Sequence, residues 1–146
     1  MQVNGYKIEP NSNLRGANLY AANLRGAKLN DANLQSADLR IAHLKSANLR
    51  GANLSGANMY GTNLSGAKLN GANLTNANLT AVNLGKSDLT RANLTGANLY
   101  HANLGKSDLT GANLTGANLT GANLGKANLK GIILSGATMP DGTIHD

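Results

Sequence analysis

From Leu14 to Leu134 every fifth residue is leucine, with Met59 the single exception, which makes 25 consecutive repeats. Two positions before each sits alanine in 19 cases, the others being Ser12, Thr62, Val82, Ser87, Ser107 and Ile132. One position before sits asparagine in 18 cases and aspartate in three, Asp38, Asp88 and Asp108. The consensus reads Ala-Asn-Leu-X-Gly. On an α-helix of about 100° per residue, five residues advance about 500°, so the leucines scatter around the axis and no apolar face forms. On a flat strand the odd period sends successive leucines to opposite faces. The pattern works only if the chain turns once per repeat. Ala and Leu, two apart, then point the same way along a short extended segment, and the glycine-rich positions between them turn the corner.

If every corner turns the same way, the leucines converge on one axis. The chain becomes a coil with an interior of Leu and Ala, and stacked coils pair as parallel strands about 4.8 Å apart. A second periodicity gives the number of sides. Asn83-Leu84-Gly85-Lys86-Ser87-Asp88-Leu89-Thr90 recurs unchanged at 103–110, 20 residues later, and Lys86, Lys106 and Lys126 share that spacing. Gly26-Ala27-Lys28-Leu29-Asn30 recurs at 66–70, and Tyr20, Tyr60 and Tyr100 are also 40 apart. Twenty residues is four repeats, so equivalent positions stack on one side of a square coil. The expectation is an all-β, four-sided parallel solenoid of about six coils, roughly 30 Å tall.

The repeated Ala-Asn-Leu-X-Gly resembles the pentapeptide-repeat family, and the likeness covers residues 12–136. It implies the family's right-handed quadrilateral β-helix; handedness comes from the resemblance and not from the spacing. Asn4-Gly5-Tyr6-Lys7-Ile8-Glu9-Pro10 and Met139-Pro140-Asp141-Gly142 are similar to cyanobacterial members. The domain reading is an N-terminal cap over 1–11, the repeat helix over 12–136 and a C-terminal tail over 137–146.

Composition agrees. Hydrophobic residues are 41%, yet Phe, Trp and Cys are absent, as a narrow Leu/Ala tube requires. Without cysteine there is no disulfide, thiolate chemistry or Cys-based metal site. No apolar run approaches the roughly 18 residues that span a membrane, and the start lacks a basic-then-apolar signal peptide. The expectation is a cytoplasmic protein with no membrane partner. His43, His101 and His145 are scattered, and no glutamate lies inside the repeats. Acid–base or metal chemistry needs such groups converging in a pocket, and a filled convex tower is expected to have none. The expectation is therefore no enzyme and no cofactor.

Function is then expected on the outer columns or the ends. Between residues 15 and 50 six basic side chains (Arg15, Arg25, Lys28, Arg40, Lys45 and Arg50) face two acidic ones, Asp31 and Asp38. Arg15, Tyr20, Arg25, Arg40, Lys45, Arg50 and Tyr60 form the candidate contact surface. Lys86, Lys106 and Lys126 stack at one corner, and Asp88 and Asp108 are expected to compensate them. Val3, Tyr6 and Ile8 are available to cover the first coil. Ile133 takes a slot that elsewhere holds asparagine; either the tail turning at Pro140-Asp141-Gly142 covers it, or it pairs two towers end to end.

The leading expectation is a non-catalytic scaffold acting through another protein, with a homodimer through a tower end as a further partner. The alternative is association with nucleic acid. Some pentapeptide-repeat proteins are like B-form DNA in shape and charge and bind DNA gyrase, but such mimicry needs an acidic rod and this chain carries a net charge of +6. Direct binding of nucleic acid through the basic N-terminal coils remains as the alternative. A third class, surface or ice binding, would use the threonine column of Thr75, Thr95 and Thr115.

Overall fold

The structure is a computed structural model that describes all 146 residues. Each repeat contributes one short extended segment, and each segment pairs in parallel with the one 20 residues later, from Asn13 with Asn33 down to Asn118 with Thr138. Four repeats make a coil, and the fold is the right-handed quadrilateral β-helix. We number its sides by their core leucines: wall 1 begins at Leu14, wall 2 at Leu19, wall 3 at Leu24 and wall 4 at Leu29. Each wall includes the two corner residues that follow its leucine.

The core is the Leu and Ala of every repeat. Leucines from Leu19 to Leu119 are fully buried, and Met59 fills its slot without exposure. Forty-two buried residues make one apolar cluster. Polar residues in the alanine slot are satisfied locally: Ser87 and Ser107 donate to the Leu84 and Leu104 carbonyls, and Thr62 to the Leu39 carbonyl.

Backbone pairing follows the same register throughout. The leucine N–H donates to the coil below, as from Leu14 to the Asn33 carbonyl at 2.7 Å, and the asparagine-slot N–H donates to the coil above, as from Asn33 to Ser12 at 2.9 Å. The corner closes with a bond such as Ala17 N–H to the Leu14 carbonyl at 3.0 Å. This is a β-turn whose third residue takes a left-handed conformation, and every such residue from Gly16 to Gly136 has positive φ. Glycine is the natural occupant, yet Ile41, Lys86, Arg91, His101, Lys106 and Lys126 are also held there. The asparagines earn their place at the same corner. Each turns its Oδ1 to accept the N–H two residues on, as Asn53 does from Ser55 at 3.0 Å, which pre-forms the turn.

The two ends differ. At the top, β1 (Gln2–Val3) and β2 (Tyr6–Lys7) form an antiparallel hairpin. Its Asn4-Gly5 loop has both residues at positive φ, as a tight hairpin loop demands. Ile8 is buried on the first coil with Val3 and Tyr6 packed beside it, and the Tyr6 hydroxyl accepts the Asn18 N–H at 3.3 Å. At the bottom the tail folds back over Ala137. Gly136 donates to the His145 carbonyl, His145 to Ala137, and Gly142 closes a turn on Met139. The tail leaves Ile133 46% exposed, on the side of wall 1 below Asn113. It also leaves the lower rims of walls 3 and 4 open. There the Leu124, Lys126, Leu129 and Gly131 N–H groups have no backbone acceptor, and Leu129 is 36% exposed.

A cationic wall and its groove

The seven candidate contact residues do not meet on one surface. Adjacent coils bring together positions 20 apart, so Arg15 lies on wall 1, Tyr20, Arg40 and Tyr60 on wall 2, Arg25 and Lys45 on wall 3, and Arg50 on wall 4. On wall 2 Arg40 is already occupied. Its Nε and Nη2 donate to the two Asp38 carboxylate oxygens at 2.9 and 2.7 Å, and its guanidinium sits 5.1 Å from the centre of the Tyr20 ring. The Arg40 hydrogen bonds hold the Asp38 carboxyl below the ordinary aspartate range.

Wall 3 is the acid-free cationic wall, whereas wall 4 has as many cations but also Asp31, Asp88 and Asp108. Wall 3 carries Arg25, Lys45, Lys86, Lys106 and Lys126, five of the 13 cations, and none of the seven acidic residues. The expected compensation by Asp88 and Asp108 does not occur. Both lie on wall 4, where their Oδ1 atoms accept the N–H and hydroxyl of Thr90 and Thr110. The Thr110 hydroxyl is the main cause of a lowered Asp108 pKa, and the only ion pair in the molecule is Arg40 with Asp38.

The expectation of a tower without a pocket is also corrected. A shallow groove of about 350 Å³ runs down wall 3, lined by Ser65, Asn83, Gly85, Lys86, Asn103, Gly105, Lys106, Asn123 and Gly125. Its floor exists because the residue after the leucine is glycine in three successive coils, and nowhere else among the repeats. The sequence contained this signal; it is a glycine in the slot where the turn asks for none. The threonine column behaves differently from the expectation for a surface binder. Thr75, Thr95 and Thr115 donate their hydroxyls back to Asn73, Asn93 and Asn113 at 2.6 Å.

The sequence profile described as Pentapeptide repeats matches in eight copies, over residues 11–40, 37–76, 72–111 and 97–136. The chain belongs to the pentapeptide-repeat family. Among solved structures, this pentapeptide-repeat chain is similar to Rfr23 from the cyanobacterium Cyanothece 51142. The two are 44% identical with a TM-score of 0.61, over 70% of this chain and 66% of that one. It is also similar to a pentapeptide repeat protein from the Arabidopsis thaliana thylakoid lumen, at 36% identity and a TM-score of 0.53, over 67% of this chain and 65% of that one. In both comparisons the match spans slightly less than two thirds of the other protein. HetL from Nostoc, a pentapeptide repeat protein involved in heterocyst differentiation regulation, is 36% identical over 92% of this chain and 73% of its own, with a TM-score of 0.38. No curated protein sequence gives a significant match.

Proposed function

We propose that this pentapeptide-repeat chain is a non-catalytic scaffold that works by binding another protein. The observation that supports this is the division of labour within each repeat. Ala and Leu are consumed by one continuous core, while the X, corner and asparagine positions are displayed outward on a lattice fixed by the backbone ladder. A surface preordered in this way loses little conformational entropy when a partner docks. The test is affinity capture from the source lysate followed by rebuilding the complex from purified components. An Arg15→Ala, Arg25→Ala, Arg40→Ala and Arg50→Ala variant serves as control. The expected result is a defined partner that binds the purified chain; a capture with no partner that survives reconstitution would refute the proposal.

Two further readings have observations of their own. The acid-free wall 3 supports nucleic-acid association as the alternative, and it predicts affinity that falls steeply with salt. The open lower rim, with its unpaired N–H groups and exposed Leu129, supports pairing of two towers through that end, with Ile133 at its side. Sedimentation between micromolar and millimolar concentration tests it, and a monomer throughout would exclude it. No helix is long and apolar enough to cross a membrane; the cytoplasmic location remains our proposal, supported by the cysteine-free composition.

A further inference from the structure

Three corners of wall 3 invert the local rule of the fold. The repeat needs a left-handed residue second after the leucine and tolerates any side chain first after it. At 85–86, 105–106 and 125–126 the order is glycine then lysine. The lysines are held at φ of 58°, 59° and 59°, a conformation that a side chain resists. The glycines have ordinary backbone, so no conformational demand selects them; their missing Cβ instead leaves room beside the asparagines, the Asn83 Oδ1 lying 3.2 Å from where a Gly85 Cβ would stand. Departures from local preference that recur at one place mark function more often than stability.

What the inversion builds is a groove with one kind of chemistry. The Asn83 and Asn103 Oδ1 atoms each accept twice, from the N–H of their own glycine at 3.0 and 2.9 Å and from the amide of the next asparagine down at 3.3 Å. The glycine carbonyls are taken by Gly66, Lys86 and Lys106 N–H groups of the coil above. Each asparagine amide keeps a free N–H, and three ammonium groups stand along the edge. The floor therefore offers donors while its acceptors are already engaged. The only aromatic ring on wall 3 is the His43 imidazole, above the groove, since Tyr20, Tyr60 and Tyr100 are all on wall 2, so bases would find no run of stacking platforms along the floor.

We propose that wall 3 is the docking track for an extended acidic segment of a partner protein, seated on the Gly85–Gly105–Gly125 floor with its carboxylates on Lys86, Lys106 and Lys126. Arg25 and Lys45 continue the track upward. From Arg25 to Lys126 is five coil spacings, roughly 24 Å, the length of about seven extended residues. The proposal rests on the scaffold reading and names the chemistry of its partner.

The probe is a fluorescein-labelled peptide of alternating glutamate and glycine, seven residues long, titrated by anisotropy at low salt with the purified chain. The triple change of Lys86, Lys106 and Lys126 to Gln is expected to weaken binding at least tenfold. Changing Gly85, Gly105 and Gly125 to Thr keeps every cation and fills the floor, and is expected to weaken it at least fivefold. Threonine already occupies that slot at Thr75, Thr95 and Thr115, and a circular-dichroism melt verifies that the variant folds; Gly105→Ser alone is the milder substitute. Changing Arg15 and Arg50 to Ala, on walls 1 and 4, is expected to leave affinity within twofold. The proposal is overturned by no measurable binding, or by full binding in the threonine variant, which would reduce the effect to diffuse charge. It is also overturned if an oligothymidine binds more tightly than the peptide and is lost in the same variants. A reconstituted partner whose affinity ignores these substitutions would remove the wall 3 assignment alone and leave the scaffold reading standing.

Discussion

Replacing Lys86, Lys106 and Lys126 together by glycine is expected to make the protein more stable. Each lysine occupies a left-handed corner, which costs an L-residue roughly 1–2 kcal/mol. Glycine removes that strain but returns about 0.5–1 kcal/mol through the greater freedom of its unfolded chain. The net gain is about 0.5–1 kcal/mol per corner, or about 2 kcal/mol for three. The lysine side chains are exposed, so little packing is lost. Relief of like-charge repulsion between rungs about 4.8 Å apart adds at most a few tenths after salt screening. For a chain of 146 residues, about 2 kcal/mol raises the melting temperature by roughly 6 °C. Urea titration followed by far-ultraviolet circular dichroism measures the free energy, and a thermal scan checks the shift. A triple variant that is less stable than the parent would refute the corner-strain reasoning. Paired with loss of acidic-peptide binding, a stability gain would show that the three lysines are retained against the interest of the fold.

Leu69 is fully buried in the middle of the tower, so Leu69→Ala is expected to cost about 3 kcal/mol or more through lost transfer energy and a cavity. Leu129 has no coil beneath it and is 36% exposed, so Leu129→Ala is expected to cost only about 1–1.5 kcal/mol. Equal costs in urea titrations at low micromolar protein would mean that the lower end is covered after all. The Asp38, Asp108 and Asp141 carboxyls are held below their ordinary pKa, chiefly by hydrogen bonds from Arg40, Thr110 and Thr143. Their contribution is complete above about pH 4 and is lost as the pH falls through the folded values. Melting temperatures between pH 5 and pH 2.5 should decline less in a triple Asp→Asn variant, and an unchanged decline would sink this account. Ser107→Ala is expected to shift stability by no more than about 0.5 kcal/mol, because the Leu104 carbonyl keeps its bond from the Ser107 N–H; a loss above 1 kcal/mol in the same titration would contradict it.

The architecture is legible in the chain because a period of five and an echo of 20 allow few backbone solutions. The ends are less legible. Pro140-Asp141-Gly142 announces a turn, and Gly142 does close on Met139, but no pattern says which rim the tail will reach. The contact surface is the hardest part. Residues 15–50 are neighbours along the chain and look like one basic end, yet a square coil deals Arg15, Arg40, Lys45 and Arg50 to four different walls. Asp88 follows Lys86 by two residues, but a corner lies between them and a threonine hydroxyl is nearer. Gly85, Gly105 and Gly125 were visible as a column from the start. In a sequence where glycine is the usual corner residue, a glycine one slot early reads as more of the same.

The strict 20-residue circuit makes the tower behave like a combination lock. Removing one whole circuit, such as residues 88–107, shortens it by one rung and leaves every dial aligned. Removing five residues, such as 88–92, rotates everything below by a quarter turn. Lys106 and Lys126 would then stand on the preceding side from Lys86, although none of the three had been altered. The groove is thus encoded in the distances between its residues as much as in their identities, and a short deletion elsewhere in the chain can erase it while leaving a well-packed fold.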